Sequence, residues 1–547
     1  MENAERFLPL THSRRALLTS AAGMVGATLS LTQVGSVHGA PAAATRHVTR
    51  RDVASLDPDG PEIASLRRGV AAMQQLSQDD PADPRGWRFQ ANIHGAPPEE
   101  GGNPAWRQCQ HGSFFFLPWH RMYLYLFERI LRWAAADPTL ALPYWNYFIP
   151  IHRVLPEPFR IPADASNALY MEDRDPIVNA GVPPWSAFSA FFDHRRAFAT
   201  TQFFHEDPLD VSFGGAWTER PVHSGAAAQN TGLLELTPHA QIHLMIGGRI
   251  EDATGAVHTA PMGDPRFAAR DPIFWLHHCN IDRLWARWLD QGDGRDNPLD
   301  DATWMDTAFS FFDETGAQVQ MTARDILNPY ALGYGYDDDP LPSGGGPGEA
   351  PLSGSAPPGE AGAAGGTPPE ASAPGEGGRR PRATRRALLG VSRAGSVIEL
   401  SGHLVTVPIQ RDASATQPGA SGMSNERIVL TIEGLRGLGI PGVTWQVFLH
   451  LDLPAGTEPP TTTQVGVLSL FGLQPDDATA QHGAPSANQS FDVTKLALTA
   501  MNDPAQHGRF AVSFVPFLFG SAPVPLGPWA TIDRVRLSTG EASRRWA

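Results

Sequence analysis

Apolar residues recur at a helical period through the first half of the chain and at a strand period through its last third. The segment LPWHRMYLYLFERILRWAAAD, residues 117–137, reads as a helix with Pro118 near its start and Asp137-Pro138 at its end. A second helix is expected over PHAQIHLMIGG, residues 238–248, stopped by Gly247-Gly248, and a third over DPIFWLHHCNIDRLWARWLDQG, residues 271–292. Residues from about 150 to 230 are dense in Pro, Asp and Phe without a sustained period, which predicts long loops with short helices. Beyond residue 395 come seven short alternating runs, among them RIVLTIEGL, VTWQVFLHLDL, SFDVTKLALTA and RFAVSFVPFLFG, parted by Gly, Pro and Asn. That pattern predicts an all-β sandwich or barrel.

Between the two regions, residues 342–378 are Gly, Pro, Ala and Ser with a few acids, and cannot bury enough apolar surface to order themselves. They read as a disordered linker over 341–394. RRPRATRR, residues 379–386, follows as an exposed basic run open to an Arg-directed activating protease. At the N-terminus Arg14 and Arg15 precede a weakly apolar run, Ala16 to Val37, that ends in small residues. This is the layout of a twin-arginine export signal over 1–44, cut near Ala40 to Ala44, and Gly23, Gly26, Thr28 and Gln33 make the run too polar for a membrane span. A periplasmic or extracellular destination is expected. The folded units are then 45–340, mainly α, and 395–547, β-rich.

With 42 basic and 57 acidic residues the formal charge is -15, which argues against nucleic acid or an anionic membrane surface as partner and favours small uncharged substrates. Two cysteines, Cys109 and Cys279, are too few for a disulfide framework. Both lie beside histidines.

Seven histidines fall in or just before the helical segments: His94, His111, His120, His239, His243, His277 and His278. His239 and His243 are spaced i, i+4, so one helix face carries both. The others stand among aromatics, where a lone polar ring costs free energy unless it is satisfied. Any one could be met by a carbonyl or a carboxylate; six together point to metal. No carboxylate recurs at ligand spacing and no HExxH motif occurs. An all-nitrogen set favours copper, zinc or nickel, with copper highest in affinity.

HGSFFFLPWHRMYLYLFERIL, residues 111–131, and DPIFWLHHCNIDRLWARW, residues 271–288, resemble the two copper signatures of the type-3 copper proteins, the tyrosinases, catechol oxidases and hemocyanins. The resemblance implies a four-helix bundle holding two copper ions, one on His94, His111 and His120, the other on His239, His243 and His278, with O2 as co-substrate. His278 is chosen over His277 because the family's ligand lies seven residues after the Asp of the DP motif. His277 would then stand behind the ligands, and Asp282 would orient a ligand ring. Cys109 matches the cysteine that some members join to the middle histidine by a thioether, here Cys109 to His111. GYGYD, residues 333–337, is similar to the motif closing the catalytic domain of plant polyphenol oxidases. In those enzymes a β-rich domain shields the site until the linker is cut; Leu470, Phe471 and Phe519 are candidates for the shielding residue.

The resemblance further implies oxidation of o-diphenols to o-quinones. Ortho-hydroxylation of monophenols would use a water held by Glu235, four residues before His239. The family's second holder of that water is an Asn where this chain has Ala240, so weak or absent hydroxylation is expected. Pro265 falls near the position of a bulky gate residue, which implies an open site. Two other readings share the histidines, an o-aminophenol oxidase and a hemocyanin-like oxygen carrier without catalysis, and a zinc protein is a third.

Overall fold

The computed structural model describes residues 47–339 and 387–541, apart from 183–188, 224–230, 413–425, 474–485, 502–509 and a few isolated positions. The expected export signal and most of the expected linker, RRPRATRR included, lie outside the described residues.

The five longest helices described in the first half are α1 (Pro61–Asp79), α2 (Trp87–His94), α3 (Phe116–Ala135), α4 (Ala240–Gly247) and α5 (Ile273–Asp290). In α1, Ile63, Leu66, Val70 and Met73 form one buried stripe at helical spacing. That stripe lies against α3, and Gly69 is the point of closest approach: a Cβ there would sit 2.8 Å from Leu131 Cδ1 and 3.1 Å from its carbonyl oxygen. Helix α3 is buried nearly all round and ends at Ala136, which takes φ +50°. Helix α5 is fixed at its start by Asp271, whose Oδ1 accepts from the Ile273 N–H and which forms a fully buried ion pair with Arg174. The DP motif therefore sets where α5 begins, and with it the direction of every side chain further along.

The ends of the helical half are clasped together. Val48–Arg50 pairs in parallel with Tyr334–Tyr336. Arg50, fully buried, makes two hydrogen bonds of 3.2 Å to Glu128 and lies 3.8 Å over the Tyr334 ring. Asp282 completes this network, accepting from Arg50, Arg121, Tyr334 and Tyr336. A buried charge is tolerable only when paired and hydrogen-bonded, and these groups satisfy one another. Asp282 is thereby committed to the clasp, which corrects the expectation that it orients a ligand ring: its hydrogen-bond partners are arginines and tyrosines.

The β-rich half is a ten-stranded antiparallel sheet, and its path is open, without barrel closure among the described residues. It runs Ile398–Leu400, Ala530–Ile532, Glu426–Gly437, Arg534–Glu541, Ala387–Val391, Val405–Arg411, Phe510–Leu518, Val443–Leu451 and Gln464–Val467, with Ala487–Asp492 branching from Glu426–Gly437. Two expectations change. The strand Ala387–Val391 pairs with both Val405–Arg411 and Arg534–Glu541, so the sheet starts inside the segment assigned to the linker. SFDVTKLALTA is a strand that turns into a helix, Thr494–Met501. The break comes where the Asp492 carboxylate accepts from both the backbone N–H and the hydroxyl of Thr494, an Asx turn that ends the ladder.

Candidate metal centre

Helices α2 to α5 each bring histidine to one buried point. His94 is the last residue of α2, His120 lies in the first turns of α3, His243 lies in α4 with His239 just before it, and His277 and His278 lie in α5. His111 comes from the loop before α3. The ligand atoms of His94, His111 and His120 lie within 4.8 Å of one another, and so do those of His239, His243, His277 and His278. The sets adjoin, with the His120 and His278 rings stacked 4.4 Å apart.

Backbone carbonyls aim these rings. The Nδ1–H groups of His94, His120, His239 and His243 donate to the carbonyls of Pro265 (3.0 Å), Phe116 (2.8 Å), Glu235 (3.3 Å) and Met262 (2.8 Å). That bond fixes the tautomer and leaves Nε2 as a bare acceptor. The Nε2 atoms of His94, His111, His120 and His239 are buried without a protein partner. Those of His243 and His278 point at each other 3.3 Å apart. Orphaned buried acceptors are costly, and converging ones more so, unless a cation sits among them. Both sets fit copper, an imidazole-seeking ion. At the second set the geometry admits one histidine more than a three-ligand site needs: His277 Nε2 has no partner either, and its Nδ1 lies 3.2 Å from the Tyr147 hydroxyl.

Burial holds all seven rings well below the usual imidazole range, His120 and His243 at about 3, with neighbouring histidines lowering His94, His111, His239, His277 and His278 further. The folded state therefore keeps them neutral while an unfolded chain protonates them below about pH 6.5. Stability is full above that pH and is lost as pH falls towards 3. Metal-free protein should accordingly show a melting temperature that drops steeply from pH 7 to 5. Copper-loaded protein should hold its melting temperature to lower pH, because metal competes with protons for the same nitrogens. Parallel thermal melts across that range test both.

Of the three phenylalanines between His111 and His120, one faces the site. Phe116 packs on His120 and His239, each ring 4.7 Å away, while Phe114 and Phe115 pack on Phe204 and Phe309. Phe274 covers the other side, 4.9 Å from His94 and 4.2 Å from His278. Cys109 is fully buried, its Sγ 3.5 Å from Nδ1 of His223, whose ring also bonds the Cys109 carbonyl.

Glu235 is buried beside this point, and the Gly112 N–H donates to both its oxygens at 2.9 and 3.0 Å. Burial pushes its carboxyl up to about 8, and the Gly112 hydrogen bond opposes the rise. A nearby metal cation would lower it further. With His111, Gly112, Thr231, His239, Ala240 and Pro265, Glu235 forms one wall of a cavity of about 30 Å³, bounded on the far side by Ser469, Phe471, Gly472, Leu473, Ala487 and Gln489. At about 10–15 Å³ for each water, it holds about two or three. Pro265 has a double part: its carbonyl aims His94, and Gly95 must lack a side chain because a Cβ would lie 2.2 Å from that oxygen.

The β-rich half therefore covers the site that Pro265 was expected to leave open. Among the three candidates for the shielding residue, Phe471 reaches the histidines, stacked on His243 at 4.2 Å and edge-on to His239 at 5.8 Å. Leu470 is buried in the core of the β half, and Phe519 packs on Phe191.

Residues 84–210 and 199–291 match the common central domain of tyrosinase, and residues 298–343 the polyphenol oxidase middle domain. Residues 84–291 thus carry a tyrosinase central domain. A tyrosinase from Hahella sp. (strain CCB-MM4) is 34% identical over 323 residues, covering 53% of this chain and 63% of that protein. The chloroplastic polyphenol oxidase A1 of Vicia faba is 34% identical over 298 residues, covering 52% of this chain and 46% of that protein. The chain thus spans less than two thirds of the length of either relative. Among solved structures, latent apple tyrosinase matches with a TM-score of 0.59 at 22% identity, over 91% of this chain and 98% of that one. Latent aurone synthase matches with a TM-score of 0.60 at 21% identity, over 91% of this chain and 90% of that one. At such identities the likeness establishes the fold, helical half and antiparallel sheet together. A tyrosinase central domain implies a dicopper site, and the two histidine sets fit it.

Proposed function

We propose that this chain is a dicopper phenol oxidase that uses O2 to convert o-diphenols to o-quinones and is made with its site covered. The observation that carries the reading is the two adjoining sets of buried imidazoles whose free nitrogens converge. His94, His111 and His120 would hold one copper, and His239, His243 and His278 the other. A copper pair supplies the electron transfer to O2 that no amino-acid side chain can. Two catechols surrender four electrons and four protons for each O2 reduced to water.

The chain's own groups arrange the rest. Pro265, Phe116, Glu235 and Met262 carbonyls aim the rings, Phe116 and Phe274 keep water from them, and Phe471 occupies the space beside His243 where a phenol ring would lie. Glu235, held by the Gly112 N–H, is the group placed to take a phenol proton through a water in the cavity. Ala240 offers that water no hydrogen bond, so catechol oxidation should far exceed monophenol hydroxylation. The Cys109–His111 thioether belongs to the same reading, supported by the burial of both residues two positions apart. Intact denatured protein should show one thiol rather than two. Export by the twin-arginine route rests on residues 14–44 alone.

Quinone formation from a catechol and from a monophenol, measured on copper-loaded protein with the linker cut and uncut, tests the function. Fast catechol turnover is expected of the cut sample once dilution has parted its two pieces, and none by the parted sample would overturn the reading. Ala240→Asn should raise the monophenol to diphenol rate ratio by roughly tenfold, the scale of a positioned proton-transfer partner. An unchanged ratio would remove the argument from Ala240.

A further inference from the structure

The two halves exchange core side chains. Leu236, one residue after Glu235, is 3% exposed, and every other buried member of its hydrophobic cluster lies between residues 389 and 537, in the β half. In return Val429, Val467 and Phe519 are members of the cluster that otherwise comprises residues 48–336. Backbone closes around these knobs. Gly442 and Gly520, at φ +62° and +100°, let the β half touch the chain just after α4: a Cβ on Gly520 would lie 2.0 Å from the Arg249 nitrogen, and one on Gly442 2.7 Å from the Gly248 oxygen. The Ala522 N–H donates to the Arg249 carbonyl, the Gln241 amide to the Leu468 carbonyl, and Arg196 to the Gln464 carbonyl.

From this interlock we infer that the surface around Leu236 is a binding site for the β half as a separate chain, so that cutting the linker leaves a closed two-chain complex and Leu236 is its anchor. The inference rests on the covered-site reading above. A flexible tether keeps its ends at an effective concentration on the order of millimolar. Scission removes only that advantage, while the exchanged apolar side chains and the backbone hydrogen bonds remain. Such interfaces owe most of their affinity to a few well-packed, fully desolvated residues. Leu236 satisfies that description from the catalytic side and Phe519 from the other. Opening then depends on dilution or on a competitor for the Leu236 pocket, with proteolysis as the permissive step.

Sedimentation velocity on full-length copper-loaded protein cut at residues 379–386 tests this without recourse to activity. At about 10 micromolar the two pieces should travel as one species and separate only on dilution by about a hundredfold or more. Leu236→Asp should weaken the cut complex at least about a hundredfold, and Leu236→Ala or Phe519→Ala about tenfold. The uncut variants serve as folding controls by copper content and melting temperature, and Phe519→Ala carries the test if the Leu236 variants misfold. Separation of the wild-type pieces at about 10 micromolar would overturn the proposal. Wild-type affinity in the folded variants would overturn the role of Leu236. If the pieces part as expected and the freed, copper-loaded catalytic half still oxidises no catechol, the functional reading fails and the interlock stands.

Discussion

His278→Gln should bind one copper per chain instead of two and lose catechol oxidation by more than about a hundredfold, beyond the 10–100-fold typical of residues that only support a ligand. His277→Gln should keep both metals and lose no more than the roughly 10–100-fold of a supporting residue. The two rings are adjacent in α5 and both are buried, so exposure cannot separate them. His278 Nε2 converges on His243 Nε2, and its ring stacks on His120, which places it between the two sets. His277 stacks on His239 at 5.4 Å, and its Nδ1 is engaged by Tyr147. The opposing consideration is that a ligand ring usually has its second nitrogen hydrogen-bonded, as Tyr147 does for His277 and as nothing does for His278 Nδ1. Copper counted by elemental analysis on the two variants decides the matter. Loss of one copper from His277→Gln with two retained in His278→Gln would reverse the assignment.

The parts of this molecule written in side-chain periodicity were legible, and those written in backbone contacts were not. Helices α3 and α5 announce themselves through long apolar runs with histidines embedded in them, and the seven rings the sequence singled out are the seven that meet. Helix α1 went unassigned because its apolar stripe is thin and interrupted by Arg67, Arg68, Gln74 and Gln75. Four of the ring-orienting partners are carbonyls, of Pro265, Phe116, Glu235 and Met262, and a carbonyl has no residue identity to read. Asp282 looked available to a ligand ring one turn away. Its actual partners Arg50 and Tyr336 stand 232 and 54 residues distant, brought near by the parallel pairing of Val48–Arg50 with Tyr334–Tyr336. The strand Ala387–Val391 was lost to its neighbourhood, because RRPRATRR ends immediately before it. The shielding residue could be narrowed to three candidates but not to one, since which apolar side chain faces the histidines depends on how residues 468–473 turn.

That turn makes Phe471→Ala the most informative single change in the β half. The loop carrying Phe471 is braced independently of its ring: Gln489 both donates to the Ser469 carbonyl and accepts from its N–H, Thr444 and Gln241 donate to the Leu468 carbonyl, and Leu473 N–H closes on Leu470. Truncating the side chain should therefore leave the backbone in place and clear a space the size of an aromatic ring against His243. A phenol ring is close to that size and shape, and offset stacking of this kind contributes about 0.5–1.5 kcal/mol beyond burial. Uncut Phe471→Ala should oxidise catechol at least about tenfold faster than the uncut wild type, a difference of about 1.4 kcal/mol in access. After the β half has been dissociated the two proteins should be equal, because Phe471 takes no part in the uncovered site. An increase that persists in the uncovered enzyme would mean that the substitution acts on the histidines themselves. No increase in the uncut protein would place the barrier in the surrounding wall, at Leu473, Gly472 and Ala487, with Phe471 filling space that substrate never reaches.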